Sequence, residues 1–119
     1  MDYKVRNKDH LYLNFDFIKF PDCPKSVHMD IDRCIERNGN FLMMEFKTDH
    51  VDINNYIGQK TTLNMLQKKG ITVIVVYHKV PNEDRTFEVT GWSPAPFTAR
   101  LPLDNKGLKD MIGRWLENC

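Results

Sequence analysis

Asp32, Glu45 and Lys47 are the side chains whose types and spacing best suit chemistry. Side chains alternate faces along an extended strand. Asp30, Asp32, Cys34 and Glu36 therefore share one face of a first stretch, with Met29, Ile31, Arg33 and Ile35 on the other. Phe41, Met43, Glu45 and Lys47 share a face of a second stretch, opposite Leu42, Met44 and Phe46. Asn38-Gly39-Asn40 stands between the two. Asn-Gly between apolar runs signals a hairpin, because a tight primed turn needs positive φ at its central residues. Such a turn leaves Asp32 and Glu45 at similar distances from it, as cross-strand neighbours with Cβ atoms about 5 Å apart. Like charges so placed repel, and a divalent cation between them removes the repulsion. A few hard oxygen donors suit Mg²⁺, which keeps several waters and is usually held by one or two carboxylates plus phosphate.

Lys47 lies two residues beyond Glu45 on the same face, where its ammonium is a compact charge beside a metal and a bound phosphate. Two carboxylates, a lysine and a metal meet the needs of phosphodiester hydrolysis. The metal polarises a phosphoryl oxygen and lowers the pKa of an attacking water, and the lysine positions that water or offsets the added negative charge. Gln59 joins the set from a helix. It is three residues from Tyr56, four from Leu63 and seven from Leu66, on the apolar stripe that faces the sheet. A buried amide without a partner costs about 1–3 kcal/mol, and the sheet end carrying Glu45 and Lys47 is the nearest place for one.

Together, Ile31-Asp32-Arg33, Glu36, Asn38-Gly39, Leu42-Met43-Met44-Glu45-Phe46-Lys47 and Gly58-Gln59 with Leu63 and Leu66 resemble the core of the PD-(D/E)XK nucleases. These are the restriction-endonuclease-like proteins, and the chain is most similar to small phage-type and RecB-like members. The resemblance covers roughly residues 27–77. It implies that Asp32 is the motif aspartate, Glu45 and Lys47 the acid-x-lysine pair, and Gln59 the helix residue that often follows. Asp30 points the same way as Asp32, so either or both would bind metal. The implied activity is Mg²⁺-dependent cleavage of DNA, with Mn²⁺ as a substitute. The family usually has an upstream helix, and residues 1–26 show no helical pattern.

The elements that must position these residues follow from periodicity. Residues 11–17 alternate as a strand, with Leu11, Leu13, Phe15 and Phe17 on one side, and Pro21 and Pro24 then bracket a loop. Residues 27–37 and 41–47 are expected as the two hairpin strands, and 53–69 as a helix ended by Lys68, Lys69 and Gly70. Ile71-Thr72-Val73-Ile74-Val75-Val76-Tyr77 is β-branched without polar alternation, as in a strand buried on both faces beside parallel neighbours. Residues 86–92 suggest a further strand with Phe87 and Val89 on one side. Pro94, Pro96 and Pro102 make the next segment irregular. Asp104 or Asn105 is expected to cap a last helix, on which Leu108, Met111, Ile112 and Trp115 form a stripe. The expected class is α/β: a restriction-endonuclease-like mixed sheet with an antiparallel hairpin, a crossover helix and a C-terminal helix, in one domain over residues 1–119.

Composition bounds the function. The chain has 119 residues, 41% hydrophobic and 28% charged, with a net charge of +1 that excludes a whole-molecule basic footprint. The charges are uneven: residues 28–54 hold three Lys/Arg against six Asp/Glu, and residues 55–80 hold four lysines and no acid. Lys60, Lys68, Lys69 and Lys79 thus read either as a phosphate-facing patch or as a solvated helix end. Cys23, Cys34 and Cys119 match no zinc spacing and suit reduced thiols in the cytoplasm, that of a host cell if the chain is phage-encoded. No membrane partner is expected, since no apolar run approaches a span. His10, His28, His50 and His78 read as structural or surface residues, His28 with the best case for more. Trp92 and Trp115 read as core or cover. DNA is the expected partner, and a homodimer or a protein partner is plausible for so small a chain. Two other readings stay open: a non-catalytic nucleic-acid-binding or regulatory module that keeps the fold, and an RNA nuclease.

Overall fold

A computed structural model of the chain describes residues 31–119 and, apart from these, Phe17. The expected strand at 11–17, the loop at Pro21 and Pro24, and Asp30, His10, His28 and Cys23 lie outside the described residues, Phe17 excepted. The described residues form a five-stranded mixed sheet with two helices, an α/β arrangement.

The sheet begins with a hairpin. β1 (Arg33–Arg37) pairs antiparallel with β2 (Asn40–Thr48), in a register from Arg33 opposite Met44 to Arg37 opposite Asn40. Asn38 and Gly39 have φ of 54° and 82°, so both turn residues adopt the left-handed conformation that a two-residue primed turn demands. The ladder starts at Arg33, later than the expected position 27. Asp32 precedes it and caps the open end with its side chain, as described below.

β2 leads through a single 3₁₀ turn (Ile53–Asn55) into α1 (Ile57–Lys68) and then β3 (Thr72–His78), which runs parallel to β2. A parallel pair needs such a crossover. The expected helix at 53–69 is therefore two pieces. Asp52 caps the 3₁₀ turn by accepting from the Asn54 N–H, and Tyr56 occupies the junction with φ −117° and ψ 68°. α1 ends as expected. Gly70 has φ 94°, its N–H donates to the Gln67 carbonyl, and the Ile71 N–H donates to the Leu66 carbonyl. This is the pattern of a glycine-terminated helix that satisfies its last carbonyls. Val73 to His78 are all buried, which is why this stretch carries no polar alternation.

β4 (Val89–Pro94) pairs antiparallel with β3, and β5 (Leu101–Pro102) with β4. β4 starts three residues later than expected. The Asn105 side chain accepts from the Val89 N–H and donates to the Phe87 carbonyl, which fixes Phe87 in a loop rather than a ladder. Phe87 stays exposed, although its ring lies 5.7 Å from Phe46 and 5.0 Å from His78. β5 falls inside the proline-rich segment that read as irregular. α2 (Asn105–Glu117) starts at an Asp104 cap that accepts from the Gly107 N–H at 2.7 Å.

Each face of the sheet has its own core. On one, Val73, Val75 and Tyr77 pack with Leu63 of α1, Ile53 of the 3₁₀ turn and Phe97, with Met43 and Leu66 beside them. On the other, Leu42, Met44, Ile74, Val76 and Val89 meet the α2 stripe of Leu108, Met111, Ile112 and Trp115, together with Trp92. Trp92 and Trp115 thus serve as cover. No helix among the described residues is long and apolar enough to cross a membrane.

Candidate functional site

The site lies where β2 leaves the apolar part of the sheet, on the α1 face. Glu45 and Lys47 alternate with Met44, Phe46 and Thr48, so they share the face of Met43, which packs on the α1-side core. Glu45 lies beside Val75 on β3 and Lys47 beside Tyr77. Glu45 is only 8% exposed. Its Oε1 lies 3.6 Å from Lys47 Nζ.

Continuing the hairpin register one residue past Arg33 and Met44 sets Asp32 opposite Glu45, as the turn position implies. One Asp32 carboxylate oxygen accepts from the Phe46 N–H at 2.8 Å. β1 has ended there, so the carboxylate supplies the acceptor that a strand would have given. This fixes Asp32 beside Glu45. Gln59, from the first turn of α1, lies near enough to Glu45 to favour its charged form. The polar stripe residue thus sits beside the sheet end that carries Glu45.

These neighbours act on Glu45 in opposite directions. Burial pushes its pKa up from the ordinary 4.5, and the Asp32 charge pushes the same way. The Gln59 amide and the Lys47 ammonium pull it back without overcoming the rise. A carboxylate held against burial and a like charge is costly in the bare protein, and a bound cation would relieve both.

Asp32 and Glu45 could hold such a cation. Among the described residues no group of three or more His, Cys, Asp or Glu side chains gathers as a metal cluster. Two carboxylates fit a hard cation that completes its shell with water and phosphate. Glu36 does not join them. It sits at the far end of β1, and its carboxylate accepts from the Gly39 N–H at 2.8 Å.

The four lysines of residues 55–80 are dispersed. Lys60, next to Gln59, donates to Asn54 at 2.6 Å, and Lys79 pairs with Glu88 at 3.2 Å. Lys68 and Lys69 stand at the other end of α1, about 12 Å along its axis at 1.5 Å per residue. They do not form one patch with the site. His50 lies 3.4 Å from the Thr48 hydroxyl, and His78 is buried with Nδ1 2.7 Å from the Lys79 carbonyl, so neither enters the site.

Two features escaped the sequence reading. Tyr56 counts there as an apolar stripe residue, yet α1 starts after it, and the residue is 47% exposed with Lys47 Nζ 4.4 Å from its ring centroid. Arg100 stacks on Tyr77 at 3.5 Å and donates to the Asp49 and Val51 carbonyls, tying the loop after β2 to the sheet. No sequence signal links Arg100 to Asp49, since the contact spans half the chain.

No protein-family model matches the chain, and no curated protein or solved structure matches it.

Proposed function

We propose that the chain is a metal-dependent nuclease that hydrolyses phosphodiester bonds in DNA, and that its sheet is a restriction-endonuclease-like core in a single domain. One observation carries this reading. Asp32, Glu45 and Lys47 of the hairpin and Gln59 of the crossover helix converge on one end of β2, with Glu45 buried between an acid, an amide and a lysine.

Asp32 and Glu45 would hold Mg²⁺ or Mn²⁺. When bound, the cation supplies Lewis acidity and a water of lowered pKa. The chain's own groups do the rest. The Phe46 N–H keeps Asp32 beside Glu45, and the Gln59 amide favours the charged Glu45 carboxylate. Lys47 brings a positive charge to the edge of the carboxylates, where it positions the attacking water or offsets charge developing on the phosphate. The absence of any acid in residues 55–80 leaves the crossover helix without charges that repel a polyanion. The free Cys34 and Cys119 suit a reducing compartment such as the cytoplasm.

The test is cleavage of linear, circular, single-stranded and branched DNA with Mg²⁺ or Mn²⁺, with Glu45→Ala as control. The wild-type protein should cut at least one of them, and Glu45→Ala should fall to background while staying folded. Cleavage by Glu45→Ala at the wild-type rate would refute the assignment. A second reading, a non-catalytic nucleic-acid-binding module, is favoured by the lack of a third carboxylate or histidine ligand among the described residues. It requires salt-dependent DNA binding that is indifferent to metal and to Glu45.

A further inference from the structure

We infer that Tyr56 is the positioning residue for Lys47: its ring holds the lysine ammonium at Glu45, an inference that rests on the nuclease reading above. Lys47 Nζ lies 4.4 Å from the Tyr56 ring centroid and 3.6 Å from Glu45 Oε1, so the cation is shared between a π face and a carboxylate. A lysine stem has four rotatable carbons and a strongly hydrated head, and left alone it swings into water. A cation over a tyrosine face is drawn toward the ring and gives up part of that freedom.

The backbone that carries Tyr56 is itself fixed to the strand next to Lys47. Tyr77 is the register partner of Lys47 on β3, and its hydroxyl accepts from the Ile53 N–H at 3.2 Å. Ile53 opens the 3₁₀ turn, whose last N–H, that of Tyr56, donates to the Ile53 carbonyl at 2.9 Å. The Tyr56 carbonyl then accepts from the Lys60 N–H at 2.9 Å. Arg100, stacked on Tyr77, holds the Asp49 and Val51 carbonyls upstream of the same turn. The chain leaves Lys47, turns on Tyr77 and returns a ring to Lys47. The Tyr56 side chain makes no capping bond to α1 and is half exposed, so neither helix capping nor core filling explains a tyrosine there.

The experiment compares Tyr56→Phe and Tyr56→Leu with the wild-type protein by side-chain NMR and cleavage kinetics, after thermal unfolding has shown all three folded. Protons over a ring face resonate upfield. The Lys47 ε-methylene signal should lie upfield of the other lysines in the wild-type protein and in Tyr56→Phe, and return to the common position in Tyr56→Leu. Cleavage by Tyr56→Leu should lose about 3- to 10-fold in kcat with KM for DNA unchanged, and Tyr56→Phe should restore it. A Lys47 signal that does not move in Tyr56→Leu overturns the inference. So does a loss in Tyr56→Leu that falls on KM alone, which would make Tyr56 a DNA contact. If the wild-type protein does not cut DNA but its Lys47 signal shifts as expected, the contact stands and the nuclease reading falls.

Discussion

The two faces of the sheet are covered in different ways. On the α2 face one amphipathic helix lays Leu108, Met111, Ile112 and Trp115 across Leu42, Met44, Ile74 and Val76, and its N-terminus is closed by the Asp104 side chain. On the α1 face the helix has no side-chain cap, and it buries Leu63, whereas every residue of the α2 stripe stays only partly buried. The remaining cover comes from Ile53 in a 3₁₀ turn and Phe97 in a loop, both essentially inaccessible to solvent. The first turn of α1 carries Gln59 and Lys60 where apolar residues would continue the stripe. The difference teaches that one face is closed by a single regular helix, whereas the other is closed by separate pieces, some of them deeply buried, and keeps polar groups at the end of β2.

The sharpest way to break this comparison is to empty the irregular cover. Phe97→Ala should destabilise the protein by about 3–5 kcal/mol in urea unfolding, because a fully buried aromatic leaves a cavity that a tied-down loop cannot fill. Trp115→Ala, on the regular side, should cost less, at or below about 3 kcal/mol, since that ring is only half-buried. Equal losses would show that the two faces are not built differently. Asp104→Ala should remove about 1 kcal/mol by opening the cap of α2, whereas Tyr56→Leu removes no cap from α1. Circular dichroism during thermal unfolding would separate these two.

Electrostatics sharpen the same contrast, and here the sign is opposite. The Glu45 pKa is raised in the folded protein, chiefly by burial and then by Asp32. The native state therefore holds this proton more tightly than the unfolded chain. Stability associated with it is complete below the ordinary value of 4.5 and is lost as pH rises through the raised native value. In metal-free buffer Glu45→Gln should thus melt above the wild-type protein at pH 8, with the gap closing toward pH 4. A gap of constant size across that range would contradict the role given to burial. Added Mg²⁺ should raise the wild-type melting temperature and leave that of Glu45→Gln unchanged.

The same division decides what the sequence could reveal. The α2 stripe, the hairpin turn and the β-branched run of β3 are local patterns, and each is found where expected. The pairing of Asp32 with Glu45 was legible for the same reason: a two-residue Asn-Gly turn sets the register of everything beyond it. Gln59 was legible as a polar residue on an apolar stripe. The late start of β4 was not, because Asn105, distant in sequence, holds Phe87 and Val89. Nor was the break between the 3₁₀ turn and α1, a turn whose first residue is tied to the distant Tyr77 hydroxyl. Tyr56 and Arg100 act through contacts without periodicity, so nothing in their local pattern announces them.

Cleavage measured beside stability tests the central claim most directly. Wild-type protein and Glu45→Gln are compared at pH 8, for melting temperature without metal and for DNA cleavage with Mg²⁺ or Mn²⁺. A buried carboxylate kept for chemistry should show a trade-off, with Glu45→Gln the more stable protein and without cleavage activity. A Glu45→Gln protein that cuts DNA as fast as wild type would contradict the account, whatever its stability.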